Sequence, residues 1–214
     1  MSIIPHNSDD FVLCGGIKLS PKICVPPTAG FRNTISIEHR GNEEVTFSSM
    51  LLVCASRPCN LALFLDLLDT MGVSVVGINA RCYNDAMTAV YGKRSTIFRI
   101  DLAVLKSILW DHRLFILEDG KLDIAVGCDS SHMEVHRDDH GLIKVYCWQG
   151  ENGPKVLDAL FKHGVNHAPQ MRRLDECEHL HIPVQNDPAK SIELYLKLVA
   201  DIRNKSVGEI LLPE

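Results

Sequence analysis

The 214-residue sequence lacks a long apolar run, a block of like charges and a Cys-x-x-Cys pair. No stretch approaches the ~18 apolar residues that a membrane-spanning helix needs. The first ten residues hold no lysine or arginine that could begin a secretion signal. We therefore expect a cytoplasmic protein with no membrane partner.

The charges are balanced and interspersed along the chain. There are 22 lysines and arginines against 27 aspartates and glutamates, which gives a formal charge of −5. A protein that reads nucleic acid usually carries a wide basic stripe, and no such stripe is present. We expect no nucleic-acid partner.

Signature motifs of catalysis are missing as well. The sequence contains no G-x-S-x-G and no G-x-G-x-x-G, and the segment before Gly92-Lys93 does not fit a P-loop. Eight cysteines without a secretion signal indicate reduced thiols, and the missing Cys-x-x-Cys excludes a thioredoxin-like pair or a zinc ribbon. These absences favour a non-catalytic protein.

What is present indicates an α+β protein in three parts. Residues 1–44 are rich in proline, glycine and asparagine and predict an irregular arm with short strands at 11–19 and 33–39. Residues 45–118 predict a first α+β unit, and residues 119–214 a β-hairpin region followed by a second unit. In each unit we expect a mainly antiparallel sheet with helices on one face, because this arrangement buries the apolar stripes of both helices.

The first unit has clear element signals. An apolar run at 45–55 predicts a strand, and a helix follows that begins near Ser56 or Pro58 and ends at Gly72. Further strands are predicted at 73–83 and 96–100, with a hairpin turn at Asn84-Asp85 leading into another strand. Asp101 is placed to cap a short helix.

The rest of the chain predicts strands at 114–117, 122–126, 133–136 and 142–148, a helix closed by Gly164, and a strand at 177–184. A last helix opens at Asp187, with a terminal strand after it. Its apolar stripe runs through Ile192 and Ile202, and Leu194 and Leu198 widen it. We expect a second subunit or the other half of the chain to cover part of this wide face.

The segment 51–90, LLVCASRPCNLALFLDLLDTMGVSVVGINARCYNDAMTAV, resembles an ACT domain. The likeness lies in an apolar strand running into an Arg57-Pro58 turn, a helix ending at Gly72, and a VxVVGINA strand. Residues 142–212 can be laid out in the same β-α-β-β-α-β order, so the resemblance implies two ferredoxin-like units. It also implies amino-acid binding between paired subunits.

The turn at 56–60 predicts an anion site, because the unpaired N–H groups of a helix N-terminus and Arg57 can hold a carboxylate or phosphate. The resemblance adds Asn60 and Asn79 as ligand contacts. The alternative interpretation is a capped turn with a solvated arginine.

Ten histidines are many for this length, and most lie in the second half. In a strand, His132 and His136 would share one face, and so would His179 and His181, because side chains alternate with period two. Two such faces brought together could hold a divalent metal such as zinc. The alternative is that these histidines are solvated or hydrogen-bonded strand residues.

Three functions follow from these patterns. The first is a regulatory protein that binds an amino acid or another small anionic metabolite, and acts as a homodimer. The second is a metal-dependent enzyme or metal-binding protein that uses the histidines. The third is a protein-interaction module.

Overall fold

Ten strands and five helices are formed by the residues that the computed structural model describes, namely 14–19, 29–40, 43–83, 96–128, 130, 132–171 and 179–211. The strands are β1 (Ile17–Leu19), β2 (Gly30–Arg40), β3 (Glu43–Cys54), β4 (Val75–Cys82), β5 (Thr96–Asp101), β6 (Leu122–Cys128), β7 (Met133–Arg137), β8 (Ile143–Tyr146), β9 (His179–His181) and β10 (Gly208–Leu211). The helices are α1 (Arg57–Asp69), α2 (Leu102–Asp111), α3 (Arg113–Glu118), α4 (Gly153–Lys162) and α5 (Pro188–Lys205).

Eight strands form one sheet in the order β10-β5-β4-β6-β7-β8-β3-β2, with every neighbouring pair antiparallel. Strands β1 and β9 pair separately, also antiparallel. The predicted α+β class with a mainly antiparallel sheet is confirmed.

One face of the large sheet carries the core. A row of directly paired apolar side chains crosses six strands, through Phe98, Ile78, Val126, Val135, Val145 and Leu51. All five helices contribute to the same apolar cluster, among them Phe64, Leu105, Ile116, Leu160 and Leu198. Because strand side chains alternate, the residues next to this row project from the opposite face.

The predicted helix signals are confirmed at three places. The Asp101 carboxylate accepts from the backbone N–H groups of Ala103 and Val104, and Asp187 caps α5 in the same way. Helix α1 begins at Arg57 with Pro58 in its first turn, and Gly72 takes a positive φ of 67° shortly after the helix ends.

Two predicted elements are corrected. Residues 114–117 are not a strand but lie in α3, where the adjacent Phe115 and Ile116 are both buried. In a strand, side chains alternate, so Phe115 and Ile116 would lie on opposite faces of the sheet. In a helix, both can face the core. The strand predicted at 177–184 is shorter: β9 ends at His181, and a 3-10 turn occupies Val184–Asn186. The turn predicted at 84–85 and the strand after it lie outside the described residues.

Helix α5 covers its own sheet with much of the predicted wide face. Leu198 and Ile202 are fully buried, Leu194 packs against the core, and Leu196 is exposed. The wider apolar face is therefore covered by this chain itself.

Two ferredoxin-like units are not confirmed. Strands of the two predicted units are intermixed in one sheet, since β4 pairs with β6 and β3 pairs with β8. Strand β2, from the predicted N-terminal arm, is an edge strand of that sheet. Among the described helices, none has both the length and the apolar character needed to cross a membrane.

Candidate functional site

The face of the sheet opposite the helices carries a groove of about 960 Å³. A row of paired residues, Arg99, Gly77, Gly127, Glu134 and Tyr146, runs across it from β5 to β8. Each lies next to a member of the apolar core row, so each projects away from the helices. The groove therefore has a charged residue on either side of two glycines.

The two glycines form the floor of the groove. Neighbouring strands are about 4.8 Å apart, so the Cα atoms of Arg99 and Glu134 are separated by about 14 Å. A Cβ at Gly127 would come no closer than 3.8 Å to its nearest neighbours in Glu134, whereas one at Gly77 would lie 3.0 Å from Ile97 Cγ2. The missing side chains leave space between the two charges.

Other side chains give the groove a polar and an apolar part. Asn79 lies beside the glycine floor, and Arg81 Nε donates a hydrogen bond to Asn79 Oδ1 at 3.3 Å. Ile97 and Ile210 line the groove on the β5–β10 side. Arg99 is exposed and makes no salt bridge with any of the described residues. A ligand here would meet an amide, a guanidinium, a carboxylate and an apolar wall.

A polar network continues along the same face of the sheet. His136 Nε2 lies 2.8 Å from Asp123 Oδ2, and the Tyr83 hydroxyl donates to the same oxygen at 3.4 Å. Burial by itself lowers the pKa of His136, but the hydrogen bond and the charge of Asp123 outweigh it, so the pKa is raised above its usual value. The imidazole is thus held toward its charged form.

The predicted anion site at the start of α1 is occupied by internal contacts. Arg57 forms an ion pair with Glu118. Asn60 is fully buried, donates to Gly141 O at 2.7 Å, and accepts a 2.9 Å hydrogen bond from Arg137 Nε through Oδ1. Asn79 is on the open face of the sheet, whereas Asn60 packs on the core face, so the structure does not bring the three predicted ligand residues together.

The predicted histidines are also separated. His132 is exposed and lines the groove, and His136 pairs with Asp123. His181 lies elsewhere, beside Asp139 and His140. The side chain of His179 lies outside the described residues.

Within the described residues, one group of three side chains has metal-ligand geometry: Asp139, His140 and His181, whose ligand atoms all lie within 4.8 Å of one another. The sequence analysis left Asp139 and His140 between the predicted strands at 133–136 and 142–148 and did not select them as ligands. Burial alone would raise the pKa of Asp139, but its hydrogen bond to His140 and the charges of both histidines lower it. The only available signal was the Asp-Asp-His run at 138–140.

Comparison with protein-family models, curated proteins and solved structures gives no match. The resemblance of residues 51–90 to the ACT family therefore stays a prediction.

Proposed function

We propose that this protein binds a small zwitterionic or anionic metabolite, of the amino-acid class, in the groove on the open face of the sheet, and that it acts as a sensor or regulator. The observation that carries the proposal is the placement of Arg99 and Glu134 on either side of the Gly77–Gly127 floor. A guanidinium is suited to a carboxylate, and a carboxylate to an ammonium group.

The rest of the groove supports a small ligand with an apolar part. Asn79 offers both a donor and an acceptor beside the floor, and Ile97 and Ile210 offer apolar surface. Pockets with a few converging polar groups and an apolar lining are typical of small-molecule sites. The site uses Asn79 from the predicted set but neither Arg57 nor Asn60.

Binding of the twenty standard amino acids to the full chain, measured by isothermal titration calorimetry, tests this function. Arg99→Gln and Glu134→Gln should each weaken binding at least tenfold, since a hydrogen bond to a charged group contributes about 1.5–3 kcal/mol. Gly127→Val should also abolish binding, because it fills the floor. It should leave the melting temperature near the wild-type value, since its Cβ has room and valine suits a strand.

Arg113→Gln and Glu151→Gln are the matched controls, because each removes the same charge from an exposed position outside the groove. Both should bind like the wild type. If no amino acid binds, or if Arg99→Gln and Gly127→Val bind as tightly as the controls, the groove is not the site.

A further inference from the structure

The turn between β7 and β8 is fixed by Asp138. Asp138 Oδ1 accepts from the N–H groups of His140 and Leu142 at 3.0 and 2.9 Å, and Oδ2 pairs with Lys144 Nζ at 3.0 Å. Gly141, with a φ of 73°, completes the turn. The Asp139 carboxylate and the His140 imidazole, on the same turn, lie beside a third side chain.

That third side chain is His181, the last residue of β9. The ring of His181 is held by a hydrogen bond between its Nδ1 and the carbonyl oxygen of Gly120. Asp139 Oδ1 lies 2.9 Å from His140 Nδ1, and Asp139 Oδ2 lies 3.6 Å from His181 Nδ1. The two imidazole rings meet edge to face with their centroids 4.8 Å apart. Three potential ligands from distant parts of the sequence thus converge.

These distances suit a tetrahedral metal ion. Zinc binds nitrogen and oxygen ligands at about 2.0–2.1 Å, so two ligand atoms of one tetrahedron are about 3.3 Å apart. The 2.9 Å separation of Asp139 Oδ1 and His140 Nδ1 is close to that value, and one ligand atom of each of the three side chains lies within 4.8 Å of the others. All three side chains are half-buried, which leaves one side accessible to an entering ion.

We propose that Asp139, His140 and His181 bind one divalent transition-metal ion, with Zn²⁺ as the first candidate. Two imidazoles and one carboxylate favour such an ion over Ca²⁺ or Mg²⁺, which prefer all-oxygen sites. Because Nδ1 of His181 donates to the Gly120 carbonyl, Nε2 is its ligand atom, and this carbonyl is the kind of outer partner that orients a ligating histidine. With three protein ligands the ion would keep an open position for water. The site shares no residue with the groove, so its test is independent of the proposed amino-acid binding.

The experiment uses the full chain without a histidine tag, stripped with EDTA and then titrated with Zn²⁺ by calorimetry and with Co²⁺ by visible absorbance. We expect one ion per chain, tetrahedral Co²⁺ bands, and a melting temperature raised by about 5 °C or more at 100 times the dissociation constant. His140→Ala, His181→Ala and Asp139→Asn should each lower the affinity at least about 100-fold.

His132→Ala is the matched control, because this histidine is exposed and lies in the groove. It should leave the metal affinity unchanged. Asp139→Asn keeps the size of the side chain, so it stays informative if a histidine variant fails to fold. Absence of one-to-one binding below about 10 μM, or binding that Asp139→Asn leaves intact, overturns the proposal, and so does loss of binding only in His132→Ala.

Discussion

Among the described residues, Arg137 has the largest fully buried side chain, with 1% of its surface exposed. It lies on the core face of β7, paired with Ile124 on one side and Ile143 on the other. Its Nε donates to Asn60 and its Nη2 contacts Cys14 Sγ at 3.5 Å, while Nη1 has no hydrogen-bond partner among the described residues. A buried charge is costly unless it is hydrogen-bonded. Asn60 therefore stabilises the fold by accepting a hydrogen bond from the buried guanidinium of Arg137.

Asn60→Ala should lower the free energy of unfolding by about 3 kcal/mol, because it leaves the guanidinium with fewer partners in the core. In an Arg137→Met background the same substitution should cost much less, because methionine carries no charge. Chemical denaturation of the four proteins of this double-mutant cycle measures the difference. An equal cost of Asn60→Ala in both backgrounds would show that Asn60 does not act through Arg137.

At the scale of elements, local signals predicted where helices begin, but they did not assign every short apolar run. Asp101 and Asp187 cap α2 and α5 as predicted, because a cap depends on neighbouring residues. The run at 114–117 contains only apolar side chains and fits a strand or a helix equally well by pattern. The segment forms a helix, α3, because this conformation packs both Phe115 and Ile116 into the core.

The pairing of β6 with β7 places Asp123 diagonally across from His136, and this contact should be visible in the pH dependence of stability. A raised histidine pKa in the folded state gives stability that is fully present below the unfolded value of about 6.5. That stability is lost as the pH rises through the folded pKa. His136→Gln should therefore be most destabilising near pH 5.5 and less so near pH 8.5.

Urea denaturation of wild type and His136→Gln at both pH values measures this difference. His167→Gln is the control, because His167 is exposed and lies outside the network of His136 and Asp123. A destabilisation by His136→Gln that grows from pH 5.5 to pH 8.5 would contradict the expected sign.

At the scale of the molecule, β10 is the last strand at one edge of the large sheet that the described residues form. Val207 just before it is 74% exposed and Ile210 within it is 48% exposed. An exposed edge strand presents unpaired N–H and C=O groups that can pair with a second copy. Antiparallel pairing of two β10 strands about a two-fold axis would give the homodimer expected from the sequence and would place the groove, which Ile210 lines, next to the subunit interface.

Light scattering should then give twice the 23.9 kDa mass of the chain. Ile210→Lys should shift the protein to a monomer, because a lysine on an edge strand opposes pairing. Leu114→Lys is the control, since Leu114 is exposed on α3, away from β10. A monomeric wild type at high concentration, or equal dimerisation of both variants, would exclude this interface.

The amino-acid sequence by itself determined the α+β class, most strands and the helix starts at Arg57, Leu102 and Pro188, because these depend on periodicity and capping over a few neighbouring residues. It also pointed to histidines as metal ligands, although only His181 of the predicted four lies in the proposed metal site. Sequence spacing shows which side chains share a strand face, but it does not show which strands lie side by side.

Only the tertiary structure decided the order of the strands and therefore the sites. The groove needs β5, β4, β6 and β7 in that order, which puts Arg99 and Glu134 on either side of two glycines. The metal site needs β9 beside the β7–β8 turn, although His181 on β9 follows His140 by 41 residues in the chain. Such long-range contacts are selected by burial of one common core across the whole chain, and no local pattern encodes that choice.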